Sequence, residues 1–152
     1  MKIVEFLRPE CVIDNLTGRT GQAVLSELCR PLALSQKVDG QKLLETLLER
    51  EKLGSTGIGE GVAIPHGKVA GLPALLASFG RSPAGVDFRA IDGRPTNLFF
   101  ALFAPENSAG AHLKALARIS RIFKNPAFRE AILRAPDAAE IYRLIEAEDA
   151  KY

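Results

Sequence analysis

Gly54-Ser55-Thr56-Gly57-Ile58-Gly59-Glu60-Gly61-Val62-Ala63-Ile64-Pro65-His66-Gly67-Lys68 is the stretch on which the chain turns. Glycines at 54, 57, 59 and 61 let this backbone turn sharply and come close to another surface, because no Cβ penalises positive φ. Val62-Ala63-Ile64 then reads as a short strand, and Pro65, with no N–H to donate, is expected to stop its pairing. His66 follows at once, with Gly67 behind it. A histidine between Pro and Gly is poorly placed for packing and well placed for display at a stiff strand end. The nucleotide-binding reading is weaker: Gly57-x-Gly59-x-Gly61 lacks the dinucleotide spacing, and Lys68 does not close a phosphate loop. A glycine-rich turn with an incidental histidine is the plain alternative.

Working outward, Asp39 is placed to cap a helix running to about Glu51, with Leu43, Leu44, Leu47 and Leu48 as one stripe. Arg50 ends that helix, where a cation complements the dipole and stands near the glycine stretch. Upstream, residues 2–7 read as a short edge strand or lead-in, and Thr17 to about Arg30 as a helix that Pro31 should end. Downstream, Leu75 to Phe79 reads as a strand and Ser82-Pro83-Ala84-Gly85 as a turn. Val86 to Ile91 is irregular or a short strand, and Asp92-Gly93-Arg94-Pro95 is a turn. Leu98 to Phe103 is almost wholly apolar, as a central strand buried on both faces would be. Asn107 or Ser108 caps a helix to about Lys124, in which His112, Leu116, Ile119 and Phe123 share the buried face. A short helix over Phe128 to Leu133 follows, then a last helix begun by Asp137 with Glu140, whose face is Ile141, Leu144 and Ile145. The order predicts one α/β domain over residues 1–152, a mixed sheet with helices on both faces.

Composition narrows the function. A chain of 152 residues suits one core, and 47% hydrophobic with 25% charged residues is ordinary for a globular protein. A net charge of +2 without a Lys/Arg cluster gives no argument for nucleic acid or a membrane surface. The apolar run Leu98 to Ala104 is far too short to span a bilayer, and charges at Glu5, Arg8, Glu10 and Asp14 break any signal-peptide core. Cys11 and Cys29 lack metal-site spacing and read as buried, reduced thiols of a cytoplasmic protein. No carboxylate cluster suited to magnesium is apparent.

Three blocks in order carry a resemblance. Arg50-Glu51-Lys52, then Gly54-Ser55-Thr56-Gly57-Ile58-Gly59 with Ala63-Ile64-Pro65-His66-Gly67-Lys68, then Phe88-x-Ala90-Ile91-Asp92-x-x-Pro95, Phe99-x-x-Leu102 and His112-Leu113 resemble the enzyme IIA proteins of the phosphoenolpyruvate-dependent phosphotransferase system. The kind is the fructose/mannitol type, and Ile-Pro-His-Gly-Lys is most similar to its nitrogen-regulatory branch. The likeness covers nearly the whole chain and thins over residues 1–38 and after Asp137.

The resemblance implies a bacterial phosphoryl carrier with a phosphohistidine intermediate and no small-molecule turnover of its own. His66 is the phosphorylated nucleophile, through Nε2; His112 stabilises the phosphate, and Arg50 belongs to its environment. Ser55 and Thr56 offer hydroxyls to it. The donor is a histidine-containing phosphocarrier protein, docking on an apolar rim for which Ile58, Val62, Ile64 and Leu72 are candidates. Neither cofactor nor metal is implied. The targets are regulatory proteins, such as a sensor kinase or an ion transporter, bound differently in the two phosphorylation states. Two alternatives stand: a sugar-specific IIA serving a separate IIB permease, and a binding module of the same fold without phosphotransfer, against which both histidines argue. Glu60 departs from the neutral residue many relatives carry there; it would slow transfer unless it points away or pairs with Arg50 or Lys68.

Overall fold

The computed structural model describes residues 1–152. Six strands form one mixed sheet: β1 (Leu7–Ile13), β2 (Gly57–Gly59), β3 (Val62–Ala63), β4 (His66–Val69), β5 (Leu76–Val86) and β6 (Thr96–Pro105). The spatial order is β1-β5-β6-β3-β2, and β4 also pairs with β6. Five helices surround it: α1 (Gly21–Gln36), α2 (Gly40–Lys52), α3 (Ala109–Phe123), α4 (Pro126–Arg134) and α5 (Ala138–Asp149). The expected architecture holds.

β6 is the axis. Phe99, Phe100, Leu102 and Phe103 are wholly buried, because the strand is paired on both edges and covered on both faces. Successive residues of β5 point to opposite faces. Ser78 reaches α1, while Phe79 stacks on Phe123 of α3 at 5.9 Å between centroids. The two faces are therefore covered by different helices. Phe123 also meets Phe100 and Phe128, each aromatic pair adding about 0.5–1.5 kcal/mol beyond its burial.

Several boundaries differ from the sequence reading. The lead-in over residues 2–7 is a 3-10 turn, Ile3–Glu5, and the edge strand lies just beyond it as β1. α1 starts at Gly21 rather than Thr17, because Thr20 Oγ1 caps it by accepting from Ala23. The N–H groups of Thr17 and Gly18 donate instead to the Glu27 carboxylate. Pro31 does not end α1, which continues to Gln36. A mid-helix Pro removes one amide donor and crowds the preceding turn, at a cost of about 3 kcal/mol. The carbonyl left without its intrahelical donor is that of Glu27; at the next position the Ser78 hydroxyl, fully buried, donates to the Leu28 carbonyl at 2.7 Å and ties this turn to the sheet.

Ser82-Pro83-Ala84-Gly85 is not a turn between elements but an irregularity within β5, whose register to β6 shifts between Arg81 and Val86. The same strand carries Arg81, a buried guanidinium that donates to the carbonyls of Asp14, Ile132 and Ala135 and so ties β5 to the end of α4. At the far end, Asp137 caps α5 by accepting from Glu140 N–H, while the Glu140 side chain pairs with Arg143 instead of completing a capping box.

Candidate functional site

The glycine stretch is a hairpin. β2 and β3 run antiparallel, joined by Glu60 (φ 58°) and Gly61 (φ 75°). Positive φ at both central residues is the type I′ geometry that matches strand twist. After Ala63 the chain leaves the ladder for Ile64 and Pro65, then returns as β4 in the same register against β6: Val62 and Ala63 oppose Leu98 and Phe99, and His66 opposes Leu102. Pro65 thus interrupts one strand instead of ending it, and its carbonyl accepts from Leu102 N–H at 2.9 Å. His66 opens β4 where the sequence reading had it follow a strand.

His66 is half-buried, and its Nδ1 lies 2.6 Å from the Ile64 carbonyl oxygen. That oxygen can only accept, so the contact places the proton on Nδ1 and leaves the Nε2 lone pair free. Burial holds the His66 pKa below its usual value; the Ile64 bond opposes this, the Arg50 guanidinium lowers it further and the Glu51 carboxylate raises it. His112, in the first turn of α3, stands edge-on to His66 with ring centroids 5.6 Å apart. It too is shifted down, by burial first and then by His66 and Lys68. Both imidazoles are therefore neutral near neutral pH. His112 Nε2 is buried and has no hydrogen-bond partner.

The helix end at α2 supplies the rest. Arg50 donates to the Gly54 carbonyl at 2.9 Å, on the loop leading into β2. Gly67 is required by contact: a Cβ there would lie 2.5 Å from Thr46 Cγ2 on α2. α2 therefore packs closely on the strand that holds His66.

The site thus gathers His66, His112 and Arg50. Ser55 and Thr56 lie on the same loop, but their hydroxyls are engaged: Ser55 donates to the Phe88 carbonyl, and Thr56 to the Glu51 carboxylate. Of the apolar rim residues read from sequence, Val62 and Ile64 are core and Leu72 is half-buried against it, whereas Ile58 is exposed. The exposed apolar side chains near the site's elements are Leu53 after α2, Ile91 and Leu113, the last directly after His112. Leu113 was legible in the helical pattern as the residue one position off the buried face. Glu60 points away from the site, toward Arg129 at 3.6 Å and Arg94 at 3.9 Å, and pairs with neither Arg50 nor Lys68.

A cleft of about 540 Å³ lies between the hairpin and α3–α4, lined by Ile58, Glu60, Lys124 and Arg129 among others, and includes neither histidine. No group of three or more His, Cys, Asp or Glu side chains is arranged to hold a metal ion. No helix is long and apolar enough to cross a membrane. Burial pushes the Cys29 thiol up to about 12 and raises that of Cys11, which makes both poor nucleophiles.

Comparison with known proteins agrees with this geometry. A family model for the phosphoenolpyruvate-dependent sugar phosphotransferase system, EIIA 2, matches residues 5–148. A nitrogen regulatory protein of Bradyrhizobium diazoefficiens is 37% identical over 145 residues, covering 95% of each chain. A fructose-specific EIIABC component of Bacillus subtilis is also 37% identical over 150 residues, 98% of this chain but 24% of that protein. Among solved structures, the nitrogen regulatory protein IIA-Ntr of Neisseria meningitidis superposes with a TM-score of 0.86 at 35% identity, covering 94% of this chain and 98% of that one. The protein belongs to the phosphotransferase-system EIIA type-2 family.

Proposed function

We propose that this chain is a nitrogen-regulatory IIA protein that accepts a phosphoryl group on His66 Nε2 and acts through contacts that depend on that phosphate. The observation carrying the reading is the Nδ1–H bond to Ile64, which fixes the tautomer and leaves Nε2 as the nucleophile. The donor is a phosphohistidine carrier protein. Its P–N bond breaks as the P–Nε2 bond forms, with attack and departure in line, and no proton need leave His66 for the transfer. His112 donates a ring N–H to an equatorial phosphoryl oxygen, a role supported by its unpartnered buried Nε2. Arg50 adds positive charge beside it. His66 does not line the cleft of about 540 Å³, and the exposed Leu53 and Leu113, next to the elements that carry Arg50 and His112, offer apolar surface to a protein donor.

Phosphorylation adds about −1.5 to −2 charges, by analogy with other phosphorylated side chains, beside an apolar face. A partner of that face, such as a sensor kinase or an ion-transport protein, then distinguishes the two states. A sugar-specific role, with a separate IIB acceptor, is the second reading, supported by a fructose-specific component that matches at the same identity as the nitrogen regulatory relative.

Incubation with phosphoenolpyruvate and the upstream carriers should add one acid-labile phosphoryl group, lost in His66→Ala. His112→Ala should fold and accept phosphate about 100-fold more slowly, as for loss of a transition-state donor. Phosphate on His66→Ala overturns the assignment. Sugar phosphorylation with a membrane permease, and no state-dependent partner in a pull-down, favours the second reading.

A further inference from the structure

The imidazole of His66 is held by a backbone carbonyl, and that carbonyl has its own support. His66 Nδ1–H donates to the Ile64 oxygen at 2.6 Å. Ile64 N–H, in the same residue, donates to the Thr56 carbonyl at 3.0 Å. Thr56 N–H donates to both Glu51 carboxylate oxygens, at 3.3 and 3.2 Å, and the Thr56 hydroxyl donates to that carboxylate as well. Thr56 is almost fully buried, so these bonds are its available partners. Ile64 lies in the break between β3 and β4, where no ladder bond to β6 fixes it. We infer that Glu51 is the positioning residue for His66, acting through Thr56 and the Ile64 backbone to hold the carbonyl that selects the Nδ1–H tautomer. The inference rests on the reading of His66 as phosphoryl acceptor only for its functional consequence.

The chemistry gives this linkage a purpose. As Nε2 attacks phosphorus, positive charge develops on the ring and concentrates at Nδ1–H. A carbonyl already aligned there stabilises the transition state without reorganising. Because each step enters a residue at its N–H and leaves at its C=O, across the Cα, Glu51 acts by fixing where Thr56 and Ile64 stand. The charged or titratable groups acting on the pair are Arg50 and Glu51 from α2, His112 from α3, and Lys68 from β4 toward His112. Glu51 is thus the acidic group set against Arg50 at the same helix end.

The experiment compares Glu51→Ala, Glu51→Gln and Thr56→Val with wild type by long-range ¹⁵N–¹H correlation of the His66 ring, which reads tautomer and pKa without phosphorylation. In Glu51→Ala, the Nδ1–H share should fall and the phosphoryl-acceptance rate drop on the order of 10-fold, as for loss of other outer hydrogen-bond partners. Glu51→Gln keeps an acceptor for Thr56 N–H, so the tautomer should recover while the His66 pKa falls with the lost charge. Thr56→Val, which keeps the N–H and loses the hydroxyl, should show a smaller shift in the same direction. An unchanged tautomer in Glu51→Ala overturns the inference. If that variant does not fold, a Gln variant with the tautomer lost, or Thr56→Val with the tautomer unmoved, does the same. If the ring responds as described but wild type accepts no phosphate, the linkage stands and the functional reading falls.

Discussion

Gly67→Ala tests whether the fit of α2 on β4 sets the site. The added Cβ would stand 2.5 Å from Thr46 Cγ2, far inside ordinary contact. That methyl cannot simply swing away, because the Thr46 hydroxyl is tied to the Lys42 carbonyl at 2.9 Å. Relief must come from moving α2 or β4, and such overpacking costs about 1–3 kcal/mol. Thr46→Ser removes only the offending methyl and keeps the hydroxyl bond; the next atoms met by the new Cβ are then Thr46 O at 3.7 Å and Thr46 Cβ at 3.8 Å. In that background Gly67→Ala should be neutral or stabilising by about 0.4–1 kcal/mol, since Ala restricts the unfolded chain. Urea denaturation of all four proteins gives the coupling between the two sites. Its expected size is about 1–4 kcal/mol, or roughly 2–16 °C in Tm for a chain of this length. Because Arg50 and Glu51 ride on α2, phosphoryl acceptance should fall in Gly67→Ala and recover in the double variant. Equal effects of Gly67→Ala in both backgrounds would refute the argument that Thr46 sets the spacing.

Two further outcomes follow from the hairpin and the histidines. Glu60 holds φ 58°, a left-handed conformation costing a non-Gly residue about 1–2 kcal/mol and tolerated better by Asn, while its exposed ion pairs to Arg129 and Arg94 contribute about 0–1 kcal/mol. Glu60→Asn should therefore gain about 0.5–1 kcal/mol in 1 M salt, where the pairs are screened, and less at low salt; a loss of stability in high salt contradicts this. His66 and His112 both have folded pKa values below the usual 6.5, so between the folded and unfolded values the unfolded chain binds more protons. Their contribution is fully present above about pH 6.5 and is lost as pH falls through the lowered values. Thermal melts from pH 7.5 to 5 should show wild type losing more stability than a His66→Gln/His112→Gln variant; parallel curves would exclude this source.

What the sequence disclosed, and what it hid, divides along a physical line. Apolar runs and caps are local, so β6, the α2 stripe with Asp39, and the buried face of α3 that carries His112 were all legible. His66 was legible because Pro and Gly on either side leave little reason for a core histidine. The misreadings come where a distant group answers a local defect. Pro31 should break α1 by its own chemistry, yet the helix runs on to Gln36, its Val24, Leu25, Leu28 and Leu32 face buried in the core on both sides of the proline. Pro65 should end a strand, yet β6 keeps the register on both sides and turns a stop into a gap. Ser55 and Thr56 have the right chemistry for phosphate, but their partners, Phe88 and Glu51, are set by the fold rather than by spacing.

The same distinction explains how this site is made. Pro65 takes Ile64 out of the ladder, and a strand residue released from its ladder has a carbonyl to spare. That carbonyl holds His66, and the histidine gains a fixed tautomer from a defect that would otherwise only cost pairing. A continuous β3–β4 strand would leave no such acceptor beside the ring. The break is therefore the part of the sheet that orients the imidazole, and the absence of a Cβ at Gly67 is what lets the helix bearing Arg50 and Glu51 lie this close to it.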